Sequence, residues 1–159
     1  MIGPALFVVV LDQISKLLVI RHLRVHESVP VIDGFFNLVH VRNRGMAFGF
    51  LNRSHADLAF WFLVGASCIA ICLLLFWFFK LKGGDTRMTL GLSLILGGAI
   101  GNLIDRLRFR EVVDFLDVFW SPYHWPAFNV ADAAITIGTF LIAITLFFKR
   151  SPEPKQREH

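Results

Sequence analysis

The chain has 159 residues, of which 55% are hydrophobic and 18% charged, whereas a soluble domain carries roughly 45 to 50% apolar residues with glycine included and about 25% charged. A soluble fold of this length leaves about a third of its chain surface exposed and needs polar side chains to cover it, so the composition points to a membrane. The net charge of +4 comes from basic residues scattered among acids, which excludes a phosphate-tracking patch and with it a nucleic-acid partner.

Four apolar segments are expected to span the bilayer, at residues 1–20, 58–79, 88–106 and 127–148. Each approaches the roughly 20 residues a crossing helix needs, and only helices satisfy their own backbone in lipid. The first segment lacks the basic start of a cleavable signal peptide and is interrupted by Asp12 and Lys16, so it is expected to remain as a helix. Next, at about 25–50, runs 27–32 and 35–41 flank Asp33-Gly34. This is a hairpin signal in which both turn residues take positive φ, and it predicts a small β element outside the bilayer. Residues 58–79 contain no Asp, Glu, Lys or Arg and hold Cys68 and Cys72, which read as small apolar packing residues. Trp61 and Trp77 near the ends of that segment suit interfacial anchors. A short charged, glycine-containing connection precedes the third span. Residues 107–127 read as a longer loop holding the acids Glu111, Asp114 and Asp117, with Trp120, Pro122 and Trp125. Residues 151–159 read as a disordered tail, and the rest as one membrane domain.

The ionisable residues inside the spans are few and unevenly placed. Asp12 and Lys16 lie late in the first span, Asn102, Asp105 and Arg106 close the third, and Asn129 and Asp132 open the fourth. In a chain that crosses four times, those ends share one side of the membrane. The spacings i,i+3 and i,i+4 put each set on one helix face. Ionisable groups at membrane depth cost several kcal/mol unless paired or hydrated, and they mark function by default. Asp12 with Lys16, and Asp105 with Arg106, read equally well as ion pairs between helices. Asp132 has no basic neighbour in sequence, and Asp114 lies in the loop on the same side. Two carboxylates brought together resist simultaneous ionisation, so one keeps a proton while the other stays a base, which equips a site to split a peptide bond with water.

Other hydrolytic equipment is missing from the sequence. There is no HExxH and no GxSxG, and neither cysteine has a histidine close by. No metal and no cofactor is expected, and the histidines His22, His26, His40, His55 and His124 read as interfacial hydrogen-bonding residues. Gly97 and Gly101 form a GxxxG that reads as close helix packing. A proton-linked transporter would spread its polar groups through the bilayer depth, and an assembly subunit would leave Asp114 and Asp132 without a task.

Five segments in order carry a family resemblance: Leu11-Asp12-Gln-Ile-Ser-Lys16, Arg42-Asn43-Arg-Gly45-Met-Ala47-Phe48, Gly97-Gly98-Ala99-Ile-Gly101-Asn102-Leu-Ile-Asp105-Arg106, Val112-Val113-Asp114-Phe115 and Pro126-Ala127-Phe128-Asn129-Val-Ala131-Asp132. Together they resemble the bacterial lipoprotein signal peptidases, also called signal peptidase II. Ser15 stands where that family often has Thr, and Met46 where a smaller residue is usual. The resemblance implies an aspartic endopeptidase of the bacterial inner membrane. It implies four transmembrane helices, an extracytoplasmic β-sheet cradle between helices 1 and 2, and a short extracytoplasmic helix. It further implies cleavage of diacylglyceryl-modified prolipoproteins just before the lipidated cysteine, with Asp114 and Asp132 as the catalytic pair. Asn43, Gly45, Asn102, Asp105, Arg106 and Asn129, with Asp12 and Lys16 from the first span, would bind substrate or brace the acids. Beside the resemblance, Asp105 adjoins Arg106 and is expected to be held ionised by it, leaving Asp114 freer to titrate. Basic residues flank both sides in near-equal number and do not orient the chain. The resemblance places both termini in the cytoplasm and the site outside, the protein is expected to act as a monomer in the lipid bilayer, and residues 42–54 are the expected gate.

Overall fold

The charge-poor runs fold as helices in the computed structural model, which describes residues 2–45, 56–80 and 85–148. In chain order the elements are α1 (Ile2–His22), β1 (Ser28–Ile32), β2 (Phe36–Asn43), α2 (Ala56–Lys80), α3 (Thr86–Phe109), β3 (Val112–Trp120), β4 (Tyr123–His124) and α4 (Val130–Phe147). All four helices are long and apolar enough to cross a membrane. At about 1.5 Å per residue the shortest, α4 with 18 residues, spans about 27 Å, close to the roughly 30 Å hydrocarbon core. Against the expected spans, α3 runs three residues further, to Phe109, and α4 begins at Val130 because Asn129 caps it. The C-cap of α3 is Arg110, in the left-handed region at φ 60, with its N–H on the carbonyl of Arg106.

Helix α3 is the centre of the bundle and packs against α1, α2 and α4. Its side toward α1 is cut back to glycine: a Cβ on Gly97 would meet the Ala5 carbonyl at 2.6 Å, and one on Gly101 would meet Asp12 Oδ2 at 2.7 Å. The GxxxG pair therefore lets two helix backbones approach closely. Helix α2 lies on the outside, with Leu58, Trp61, Phe62, Ile69, Leu73, Phe76, Trp77 and Phe79 exposed to the surroundings that lipid would supply. Cys68 and Cys72, expected as small apolar packing residues, share that exposed surface.

One antiparallel sheet, in the order β1-β2-β3-β4, joins the helix ends. Strand β3 occupies the segment expected to be a loop, so the β element extends well beyond the first connection. Val113 and Phe115 of β3 pack with Val19 of α1, flanked by Ile20, Leu23, Leu38, Leu116 and Val130, and this cluster fixes the sheet to the bundle. The β1–β2 turn also differs from expectation. Ile32 pairs with Phe36, leaving Asp33, Gly34 and Phe35 as a three-residue loop, and only Gly34 of these takes positive φ, at 75°. Three-residue hairpin loops use one left-handed residue where the two-residue turn needs two. The described residues contain no short helix outside the spans. Residues 46–55, most of the expected gate, and the expected tail at 151–159 lie outside the described residues.

Candidate active site

Polar side chains of α1, α3 and α4 meet where the sheet joins the bundle, and they form one connected network. Its base is Lys16, 2% exposed. Its Nζ donates to Asp12 Oδ2 at 2.8 Å, Asp105 Oδ2 at 3.0 Å and Asn102 Oδ1 at 3.0 Å, which occupies all three ammonium donors. Buried charges persist only when paired and hydrogen-bonded, and here one cation lies between two carboxylates. The ion pair shown for Asp105 is thus with Lys16, not with Arg106 as its sequence neighbour led us to expect. Arg106 instead donates from Nη1 to Ser67 Oγ on α2 at 3.4 Å, and its charge acts on Asp132, Asp105 and Asp114 together.

Asn129 links the upper part of the network. As N-cap of α4 its Oδ1 accepts from the Asp132 N–H at 2.9 Å, while Asp132 Oδ2 accepts from the Asn129 N–H at 3.3 Å, a reciprocal capping box. The spacing Asn129-x-x-Asp132 therefore builds local structure and site at once. Asn129 Nδ2 donates to Asp114 Oδ1 at 2.7 Å, with Asn102 Oδ1 and the Val113 carbonyl at 3.2 and 3.3 Å. Asn102 Nδ2 donates to Asp132 Oδ1 at 2.7 Å. From the sheet, Val41 of β2 pairs with Asp114 of β3, and Asn43 Nδ2 donates to Asp114 Oδ2 at 2.9 Å. Asn43 Oδ1 accepts from the Gly45 N–H at 2.8 Å. Gly45 sits at φ 77°, where a Cβ would run into Leu63 of α2, so only glycine serves there without strain.

Both oxygens of Asp114 and both of Asp132 thus accept hydrogen bonds, and Asn129 touches both residues. Asp114 is buried, and that burial pushes its carboxyl up from 3.8 to about 6. The Asn43 and Asn129 amides and the Lys16 charge oppose the rise, and the negative charge of Asp132 adds to it. An acid poised near neutrality beside a second acid can exchange a proton within the working pH range.

All ten residues expected at the site, Asp12, Lys16, Asn43, Gly45, Asn102, Asp105, Arg106, Asp114, Asn129 and Asp132, lie in or beside this network. Gln13 was not among them, yet its Nε2 is 3.2 Å from Asp12 Oδ2, 3.0 Å from Asp105 Oδ1 and 3.2 Å from the Gly101 carbonyl. Its i,i+3 spacing from Lys16 was a signal for the same helix face, but an uncharged amide beside Asp12 does not stand out in an apolar span as an ionisable residue does. His40, buried on β2, donates from Nδ1 to the Leu23 carbonyl at 2.9 Å and accepts from Arg42 Nε at 3.0 Å. Those two bonds define its neutral tautomer and brace the strand that carries Asn43. The described residues hold no cluster of three or more His, Cys, Asp or Glu placed to bind a metal.

Spans, sheet and buried acid-amide network define a multi-pass membrane protein with a carboxylate site at one end of its bundle. Residues 4–148 match the family model described as signal peptidase (SPase) II. The lipoprotein signal peptidase of Nitratidesulfovibrio vulgaris (strain DP4) is 47% identical over 99% of this chain and 94% of its own length. That of Syntrophus aciditrophicus (strain SB) is 48% identical over 90% and 89%. Among solved structures, two bacterial membrane enzymes determined by the in meso method superpose with TM-scores of 0.82 and 0.83 at 35% and 34% identity. The match covers 94% and 99% of this chain and 93% of each of theirs. The chain belongs to the signal peptidase II family of membrane aspartic peptidases, and it is a multi-pass bacterial membrane peptidase.

Proposed function

We propose that this peptidase removes the signal peptide from diacylglyceryl-modified prolipoproteins, cutting just before the lipidated cysteine, with Asp114 and Asp132 as the reacting acids. The observation that carries the assignment of the pair is Asn129. One side chain donates to Asp114 and accepts from the Asp132 backbone, so the two carboxyls are held in one frame at the junction of sheet and bundle. With one proton between them, the ionised member takes a proton from water as that water attacks the scissile carbonyl. The protonated member gives its proton to the carbonyl oxygen; as the tetrahedral intermediate collapses, the member that took the water's proton passes it to the leaving nitrogen and the other recovers its proton from the new hydroxyl, so the C–N bond breaks with the dyad restored. The pair titrates as a unit, so the roles belong to the dyad.

Asn43, Asn102 and Asn129 spend their amides on the acids and on one another and serve to orient them. Arg106 has five N–H donors, and among the described residues it gives one, to Ser67. Its remaining donors suit it to hold a substrate carbonyl. The reading also places the protein in the inner membrane with both termini cytoplasmic and the site outside, where a substrate tethered by its lipid reaches the acids.

Purified protein incubated with a diacylglyceryl-modified prolipoprotein and with its unmodified form tests the substrate. Mass spectrometry of the products should show one cut, immediately before the modified cysteine, with the unmodified form left intact. A cut elsewhere, or equal processing of both forms, would remove the assignment.

A further inference from the structure

The buried Asp12-Lys16-Asp105 cluster lies one peptide away from each proposed reacting acid. Asp105 Oδ2 accepts the backbone N–H of Val113, the residue before Asp114, at 3.1 Å. Asp12 Oδ1 accepts the backbone N–H of Ala131, the residue before Asp132, at 2.9 Å. The two carboxylates that hold these amides are themselves joined twice, by Lys16 Nζ and by Gln13 Nε2. A chain of contacts therefore runs from the Val113 peptide through Asp105, the Lys16 and Gln13 donors, and Asp12 to the Ala131 peptide.

We propose that Gln13 is a positioning residue that closes this clamp and thereby sets the separation of the Asp114 and Asp132 carboxyls through the peptide N–H preceding each. Two features give Gln13 this task. The ammonium of Lys16 is shared three ways, with Asn102 as its third acceptor, so Lys16 alone does not fix the angle between the two carboxylates. The Gln13 amide supplies a second, planar link and ties it to the α3 backbone at the Gly101 carbonyl. It does so without adding charge to a cluster that already holds two acids against one base. The charged groups facing it are Asp12 and Lys16 on α1 and Asp105 on α3, with Arg106 on α3, Asp114 on β3 and Asp132 on α4 beyond them. A carboxyl gap altered by a fraction of an ångström changes both the attack geometry and the coupling between the acids, and a misplacement of about 1 Å costs up to roughly 100-fold in rate.

The inference rests on the aspartate pair proposed above, and the experiment keeps the two separable. Full-length Gln13→Met, which preserves length and removes the donor, and Gln13→Glu are purified beside Asp114→Asn and Asp132→Asn. The kcat and KM for a diacylglyceryl-modified prolipoprotein are measured across the pH range. Gln13→Met should lose about 10-fold in kcat, with KM within about twofold and the limbs of the pH profile displaced. Gln13→Glu should be impaired at neutral pH and regain activity relative to wild type as pH falls and its carboxyl gains the proton that can bridge Asp12 and Asp105. If Gln13→Met is too unstable to purify, the pH dependence of Gln13→Glu relative to wild type decides alone. Wild-type kcat and unmoved limbs in folded Gln13→Met, or a Gln13→Glu ratio independent of pH, would overturn the clamp while leaving the pair standing. Turnover by Asp114→Asn or Asp132→Asn would instead remove the pair and the clamp together.

Discussion

Burying Asp114 makes folding sensitive to pH, with a sign and size that follow from its surroundings. The residue lies on β3, outside the spans, so its carboxyl is referred to water when the sheet unfolds. Its folded value of about 6 exceeds the ordinary 3.8, so the folded state binds the proton more tightly than the unfolded chain does. The associated stability is fully present below pH 3.8 and is lost as pH rises through about 6. At roughly 1.4 kcal/mol per pH unit the difference amounts to about 3 kcal/mol, and at 2% exposure no solvent screening discounts it. Asp114→Asn cannot titrate, and any hydrogen bond it loses to Asn43 or Asn129 adds an offset that does not vary with pH. The unfolding free energy of wild type minus that of Asp114→Asn, measured by denaturant titration in detergent micelles, should therefore fall by about 3 kcal/mol between about pH 3 and about pH 7 and then stay level. A difference independent of pH, or one that rises with pH, would refute the claim that burial controls this carboxyl.

Asn129→Ala removes the N-cap of α4 and should cost about 1 kcal/mol of stability. It also removes a donor that holds Asp114 down, so the acid limb of the kcat profile should move to higher pH; an unmoved limb would detach Asn129 from the acids. Lys16→Met leaves Asp12 and Asp105 buried without their cation and should destabilise by about 3 to 5 kcal/mol, read from the same titration. A loss below about 1 kcal/mol, the value of an exposed pair, would show that the two acids do not depend on Lys16.

Absence of charge was enough to locate four helices, because lipid leaves a backbone no other partner. The convergence of Asp12, Lys16, Asn102, Asp105, Asn129 and Asp132 followed from span parity alone. What stayed hidden depended on pairing across the chain. Strand β3 reads as a loop because Asp114 and Asp117, three apart, put one acid on each face and break the period-2 alternation, and its partner β2 lies about 70 residues away. Asp114 becomes a buried acid only when that pairing forms and brings Asn43 to it. Asp105 was matched to its sequence neighbour Arg106, but a side chain at i+1 points away on a helix, and the cation that reaches it comes from α1. The β1–β2 turn was placed correctly at Asp33-Gly34 but assigned one residue too few, since Phe35 joins the loop.

The pairing of Asp114 with Asp132 is the central claim, and single-turnover cleavage of a diacylglyceryl-modified prolipoprotein by purified Asp114→Asn and Asp132→Asn tests it most directly. Each amide variant should remain folded by thermal unfolding and lose at least about 1,000-fold in rate, since neither half of a dyad exchanges protons alone. Near-wild-type cleavage by either folded variant would contradict the account.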